Sequence, residues 1–207
     1  MNLRIGVIDY ASGNIGSIVN MISHVGGTAV VVSDPARLSA MDRLILPGVG
    51  HFDHGVQLLK ERGLFDPLRE QDGTSQPLLG VCLGMQLLLS SSEEGEQPGL
   101  GLVPGECRKL RPVDRTLKVP HMGWNTVRAA RESQALSPQL DDSRYYFVHT
   151  YYAAPEDSSH VAGVSHYGED FCSVVDTGKG IFGYQFHPEK SHRFGMALLR
   201  EFVSPSC

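Results

Sequence analysis

With 207 residues, 41% of them hydrophobic and 20% charged, the chain has the size and composition of one globular domain with a sizeable core. A formal net charge of −5, spread without long runs of one sign, leaves no basic footprint for nucleic acid, and no aliphatic run nears the roughly 20 residues that cross a bilayer. Four scattered cysteines, Cys82, Cys107, Cys172 and Cys207, form no CxxC and no zinc spacing, so neither a disulfide framework nor a metal or other cofactor is expected.

The opening "MNLRIGVIDY" runs straight into strand-like sequence, with no basic, apolar and cleavage regions in order, which points to the cytoplasm. Asn14–Val25 follows with helical spacing at Ile15, Ile18, Val19 and Ile22, and Gly26-Gly27 stops it. "TAVVVS" (28–33) and "DRLILPGVG" (42–50) read as buried strands, the second ending in a glycine loop. Helical stretches over Phe52–Leu59 and Phe65–Glu70 precede a fourth strand, "PLLGV" (77–81), and a helix beginning at Leu83. This alternation predicts βαβ units around a parallel sheet.

After a loop at 90–99, the texture changes. "LGLVPGECRKL" (100–110), "TLKVPHMGWNTVRA" (116–129), "RYYFVHTYYAA" (144–154), "HVAGVSHYG" (160–168), "FCSVVDTG" (171–178) and "GIFGYQF" (180–186) read as successive strands joined by turns. A helix over His192–Phe202 closes the chain. The expectation is a single α/β domain over residues 1–207 whose second half is richer in antiparallel strands.

Within the fourth strand-to-helix junction, Gly80-Val81-Cys82-Leu83-Gly84 has the form G-x-nucleophile-x-G. A nucleophile in such a turn sits in strained backbone and needs small neighbours on both sides. Free cysteine is also a common core filler, so the pentapeptide alone leaves filler and nucleophile both open. A nucleophile needs a base. Of the nine histidines, His24, His51, His54, His160 and His166 stand in helical or loop contexts with no carboxylate arranged beside them. His187-Pro188-Glu189 is different: proline favours extended backbone at His187, and residues i and i+2 of an extended segment share a side. Glu189 then orients the imidazole that takes the Cys82 proton, and the triad becomes the better account. "LPGVG" (46–50) supplies a third part, since backbone N–H groups of Gly48, Val49 and Gly50, with that of Leu83, are suited to an oxyanion.

With these parts in place the sequence resembles the triad, or class I, glutamine amidotransferases, and within them the glutaminase subunits of imidazole glycerol phosphate synthases. The resemblance runs through "GVIDYASGN" (6–14), "LPGVGHFDHG" (46–55), "GVCLGMQLL" (80–88), "SEEGEQPGLGLVPG" (92–105), "VPHMGWN" (119–125), "YYFVHTYY" (145–152) and "GYQFHPEKS" (183–191). It implies a flavodoxin-like, mostly parallel central sheet flanked by helices, with added antiparallel strands in the second half. It implies that Cys82 attacks the side-chain amide of glutamine, with His187 as base and then acid. Gln86 and Glu94 match positions that hold the backbone charges of glutamine, although Glu93 beside Glu94 leaves the choice of carboxylate open. Gly50, His149, Thr150 and Tyr151 fall in the glutamine pocket, while at least one of Tyr145, Tyr146 and Phe147 is core. The implied partner is a (β/α)8-barrel cyclase, the other subunit of a heterodimer, which receives the ammonia internally and gates its release allosterically. Asn14, His121, Met122, Trp124, Asn125 and Lys190 match segments at that interface; a half-buried core role for Trp124 fits the sequence equally well.

Two other readings are compatible with the pattern: a paralogue feeding a surface-sugar synthetase, or a non-catalytic scaffold on the same fold. The scaffold reading predicts loss of Cys82, His187 or Glu189, and all three are present.

Overall fold

The computed structural model describes residues 3–114, 116–136 and 143–204; Cys207 lies outside them. The alternation expected of the first half is present. Strand β1 (Arg4–Ile8) leads to helix α1 (Ile15–His24), which begins under an Asn14 cap accepting from the Ser17 N–H at 3.4 Å. The helix ends where the Gly27 N–H bonds the Ile22 carbonyl and the Gly26 N–H bonds that of Ser23, with Gly26 left-handed at φ 92°. There follow β2 (Thr28–Val32), β3 (Arg43–Gly48), α2 (Phe52–Glu61), α3 (Phe65–Arg69), β4 (Leu78–Cys82) and α4 (Leu83–Leu87).

The second half holds β5 (Leu89–Ser92), β6 (Val103–Lys109), β7 (His121–Thr126), β8 (Arg128–Ala129), β9 (Arg144–His149), β10 (Tyr151–Pro155), β11 (Val161–His166), β12 (Asp170–Asp176), β13 (Ile181–Tyr184) and α5 (His192–Val203). Among the described residues the main sheet runs β2-β1-β3-β4-β13-β12-β10-β6-β5, with β11 joined to β12 and β8 to β11; β7 and β9 pair separately. From β2 to β13 every pairing is parallel. Beyond β13 the pairings to β12, β10 and β6 are antiparallel. This is the doubly wound architecture expected, with the antiparallel extension on one side. Ile18, Ile22, Leu198, Leu199 and Phe202 of α1 and α5 cover one face, and Phe52, Val56, Leu59, Phe65 and Leu68 of α2 and α3 the other.

Several local readings are corrected. The loop expected at 90–99 begins as β5, an edge strand whose exposed Ser90 and Ser91 carry no hydrophobic signal. Residues 116–120, expected to begin a strand, are non-strand, and β7 starts after Pro120, which has no N–H to give to a ladder. The single strand expected over 144–154 is two strands in two different sheets, with Thr150 as the corner. A 3-10 turn at Pro35–Ala40, capped by Asp34, had no periodic signal to reveal it. Finally, "GIFGYQF" (180–186) carries β13, which pairs antiparallel with β12 on one side and parallel with β4 on the other. That insertion places the chain's last strand beside the one that carries Cys82.

Candidate functional site

Cys82 ends β4 and precedes α4 with φ 55° and ψ −111°, a conformation that strains any side chain by roughly 1–3 kcal/mol. Its flanking glycines are required by close backbone approach. A Cβ on Gly84 would run into the Leu46 carbonyl of β3, and one on Gly80 would lie 2.6 Å from the Gly84 carbonyl oxygen. The turn can form only with both glycines. The helix that follows is five residues long, so its dipole is small, and the charged group facing Cys82 is His187 instead.

His187 leaves β13 with extended backbone, and its N–H bonds the Tyr146 carbonyl at 2.9 Å. Pro188–Lys190 then close a 3-10 turn, locked by the Ser191 hydroxyl, which donates to the His187 carbonyl at 2.6 Å and accepts from the Tyr146 N–H at 3.0 Å. Glu189 therefore reaches the imidazole through a turn, not through strand alternation as the sequence suggests. Its Oε1 lies 2.7 Å from His187 Nδ1, and both side chains are buried. A carboxylate only accepts, so Nδ1 carries a proton and Nε2 is left for Cys82. In the resting rotamer the thiol turns to the Val148 carbonyl at 3.9 Å, and Nε2 has no partner of hydrogen-bond geometry. Burial opposes charge on His187, but polar contact with Cys82, then Glu189, and the charges of both outweigh it and raise the pKa to about 9.

The β3–β4 register sets Gly48 opposite Cys82. The Val49 N–H is held by the Ser12 hydroxyl at 3.3 Å, and that hydroxyl donates back to the Val49 carbonyl at 2.8 Å. Gly50 is left-handed at φ 104°. Leu83, the first residue of α4, has an N–H with no intrahelical acceptor.

A cavity of about 280 Å³ joins Cys82 to the loop after β3, lined by Val49, Gly50, Cys82, Leu83, Gln86 and Glu94, and closed by Pro120 and the Val148–Tyr151 corner; His187 is not among its walls. A larger hollow of about 560 Å³ lies around Arg43, Phe182 and Phe202, but it contains none of the groups just described. Gln86 spends both amide hydrogens inside the protein, on the Tyr151 carbonyl at 2.9 Å and Gln185 Oε1 at 3.2 Å, so its Oε1 is the atom it can offer a ligand. Glu94 lines the cavity and accepts from the Phe52 N–H at 2.8 Å, whereas Glu93 turns outward to the Lys109 N–H and the Arg111 guanidinium. Of the two carboxylates, Glu94 is the one that lines the cavity.

Residues matched to a partner surface divide in two. Asn14, Met122, Trp124 and Lys190 are exposed and Asn125 is half-buried. Trp124, 46% exposed, stacks on His192 with centroids 5.3 Å apart and is not a core residue. His121 is the correction: only 3% exposed, it cannot itself touch a partner, and its Nδ1 lies 2.9 Å from His149 Nε2. The ring of His149 is buried as well, bonded to the Tyr151 carbonyl, so that residue borders the cavity with its imidazole turned to the protein. Tyr145 and Phe147 are core. Two histidines expected to lack carboxylates have them: His166 Nδ1 is 2.7 Å from Asp170, and His160 is 3.9 Å from Asp157. Ser12 and Ser191 emerge only from the structure, because a serine that positions backbone has no distinctive spacing.

A family model described as "Glutamine amidotransferase class-I" matches residues 6–204. The chain is 46% identical over 202 residues to the imidazole glycerol phosphate synthase subunit HisH 2 of Methanococcus maripaludis, covering 96% of this chain and 98% of that protein. It is 47% identical over 204 residues to the imidazole glycerol phosphate synthase subunit HisH of Methanopyrus kandleri, covering 98% of each. Among solved structures, a crystal structure of a glutamine amidotransferase matches with a TM-score of 0.70 at 21% identity, over 94% of this chain and 98% of that one, a likeness of fold alone.

Proposed function

The chain belongs to the class-I glutamine amidotransferase family, and we propose that it is the glutaminase subunit of an imidazole glycerol phosphate synthase, acting in histidine biosynthesis in the cytoplasm. The observation that carries the mechanism is the strained Cys82 facing a buried imidazole that Glu189 orients at 2.7 Å.

With the proton that Cys82 and His187 share resting on Nε2, the sulfur attacks the side-chain amide carbon of glutamine, and the carbonyl π electrons move onto oxygen. As the tetrahedral intermediate collapses, His187 gives its proton to the departing nitrogen, so ammonia leaves and a glutamyl thioester remains. Water then attacks the thioester with His187 as base, releasing glutamate and restoring Cys82. The Leu83 N–H and the Gly48–Gly50 backbone serve the oxyanion. Because Ser12 holds the Val49 N–H, that donor joins only after the Gly48–Val49 peptide turns away from Ser12. Glu94 and Gln86 Oε1 are acceptors for the α-ammonium group of glutamine, an arrangement that selects the free amino acid over other amides. Gly50, Thr150 and Tyr151 form the remaining walls.

The ammonia passes to a (β/α)8-barrel cyclase, where it enters imidazole glycerol phosphate with release of aminoimidazole carboxamide ribotide. Asn14, Met122, Trp124, Asn125 and Lys190 form the docking face. The test is ammonia release from glutamine, with and without the cyclase and its ribonucleotide substrate. The wild-type complex is expected to be active and Cys82→Ala to lose on the order of 10³-fold or more. A folded Cys82→Ala variant that kept full partner-stimulated activity would overturn the mechanism. Wild-type protein that formed no complex with the cyclase would overturn the partner.

A further inference from the structure

The buried imidazoles of His121 and His149 take no step in the mechanism above, yet their protons are fully determined by their surroundings. The Tyr151 carbonyl can only accept, and it lies 2.9 Å from His149 Nδ1, so that nitrogen carries the hydrogen. His149 Nε2 is then an acceptor, and His121 Nδ1, 2.9 Å away, is its donor. His121 Nε2 must accept in turn, and the Asn125 amide stands 3.4 Å from it while also donating to the His166 carbonyl at 2.9 Å. Burial holds both rings neutral, His121 at about 4 and His149 at about 3, the latter against its bond to Tyr151. His121 is also clamped between Phe147 and Tyr167, with centroids 4.9 and 4.1 Å away.

The far end of this string is the substrate cavity. The Tyr151 carbonyl accepts from both His149 Nδ1 and Gln86 Nε2, each at 2.9 Å, so its two lone pairs tie the Thr150–Tyr151 corner to the helix that follows Cys82. The near end is β7, which exposes Met122 and Trp124 and whose preceding residue, Pro120, lines the same cavity. We propose that His121 is a positioning residue for glutamine: its N–H, given to His149, holds the Thr150–Tyr151 corner and links the exposed strand β7 to the pocket. The inference rests on the glutaminase reading above.

The test compares two substitutions in the complex with cyclase, at saturating cyclase ligand. His121→Phe keeps a flat ring for the stack but has no donor; His121→Asn keeps an N–H near the position of Nδ1 and loses the ring. Removing one neutral hydrogen bond predicts a rise in glutamine KM of about 5–10-fold in His121→Phe, with kcat changed by less than about 2-fold. His121→Asn is expected to stay within about 2-fold of the wild-type KM. An unchanged KM in His121→Phe, or equal impairment of both variants, would overturn the proposal. Long-range ¹H–¹⁵N spectra of the wild-type imidazoles provide a readout independent of turnover and of variant folding. Nδ1–H on both rings is expected, and Nε2–H on His149 would overturn the string. A wild-type complex that released no ammonia would instead refute the glutaminase reading, leaving the tautomers to judge the string by themselves.

Discussion

The resting charge on His187 is what its surroundings most visibly alter, and it links the site to stability. Its pKa lies near 9 in the folded chain and near 6.5 when unfolded, because Cys82 and Glu189 favour the imidazolium despite burial. A raised folded pKa contributes stability that is fully present below about pH 6.5 and disappears as pH rises through about 9. Glu189→Gln keeps an acceptor for Nδ1 but removes the charge. Because Cys82 keeps its larger share of the shift, wild type is expected to exceed Glu189→Gln by about 1 kcal/mol in urea unfolding at pH 6, with the gap closing towards pH 9.5. A gap constant across that range would show that the carboxylate does not hold the proton on His187. The contact itself was foreseeable from His-Pro-Glu, but its route was not. A 3-10 turn locked by Ser191 brings the carboxylate to the ring, and nothing in the spacing of the three residues distinguishes that turn from a continuing strand.

At the level of elements, the two glycines of the elbow and the glycine of α1 make opposite demands. Gly84 abuts the backbone of β3, which cannot yield as a flexible side chain would. Gly84→Ala is expected to lower stability by about 3 kcal/mol through overpacking. Gly16 lies inside α1 with its nearest obstacle, Asn14 Oδ1, at an ordinary 3.6 Å. Gly16→Ala should therefore raise stability by about 0.5–1 kcal/mol through helix propensity. Chemical denaturation of both proteins checks the pair, and a neutral Gly84→Ala would count against the close approach that makes the elbow. Elements with long apolar periods, such as α1, β3 and β4, were legible because burial dictates their residues on one face or both. The division of 144–154 at Thr150 was not, since both strands are aromatic-rich and only their partners differ: β7 for one, β6 and β12 for the other. Likewise the edge strand β5 is held by backbone pairing and leaves no apolar trace.

For the whole molecule, the exposed aromatic on β7 bears on assembly. Trp124 gives little to the fold, being half-exposed and packed on His192 and the edge of Tyr146, with Lys190 over the Tyr146 ring at 5.8 Å. Trp124→Ala is expected to weaken binding to the cyclase by about 30-fold or more, a loss of at least ~2 kcal/mol, while leaving the melting of the free glutaminase nearly unchanged. Titration calorimetry and thermal melting separate the two, and an undiminished affinity would move the docking face elsewhere. The order of strands has a further consequence, for the chain as it is made. Synthesis runs from the N-terminus, so β4 and its thiol emerge long before β13, which must slot in between β4 and β12 before the imidazole stands opposite the sulfur. A nascent chain that has exposed its first four strands thus holds the thiol without the histidine proposed as its base. The triad proposed above is complete only with the arrival of the last strand.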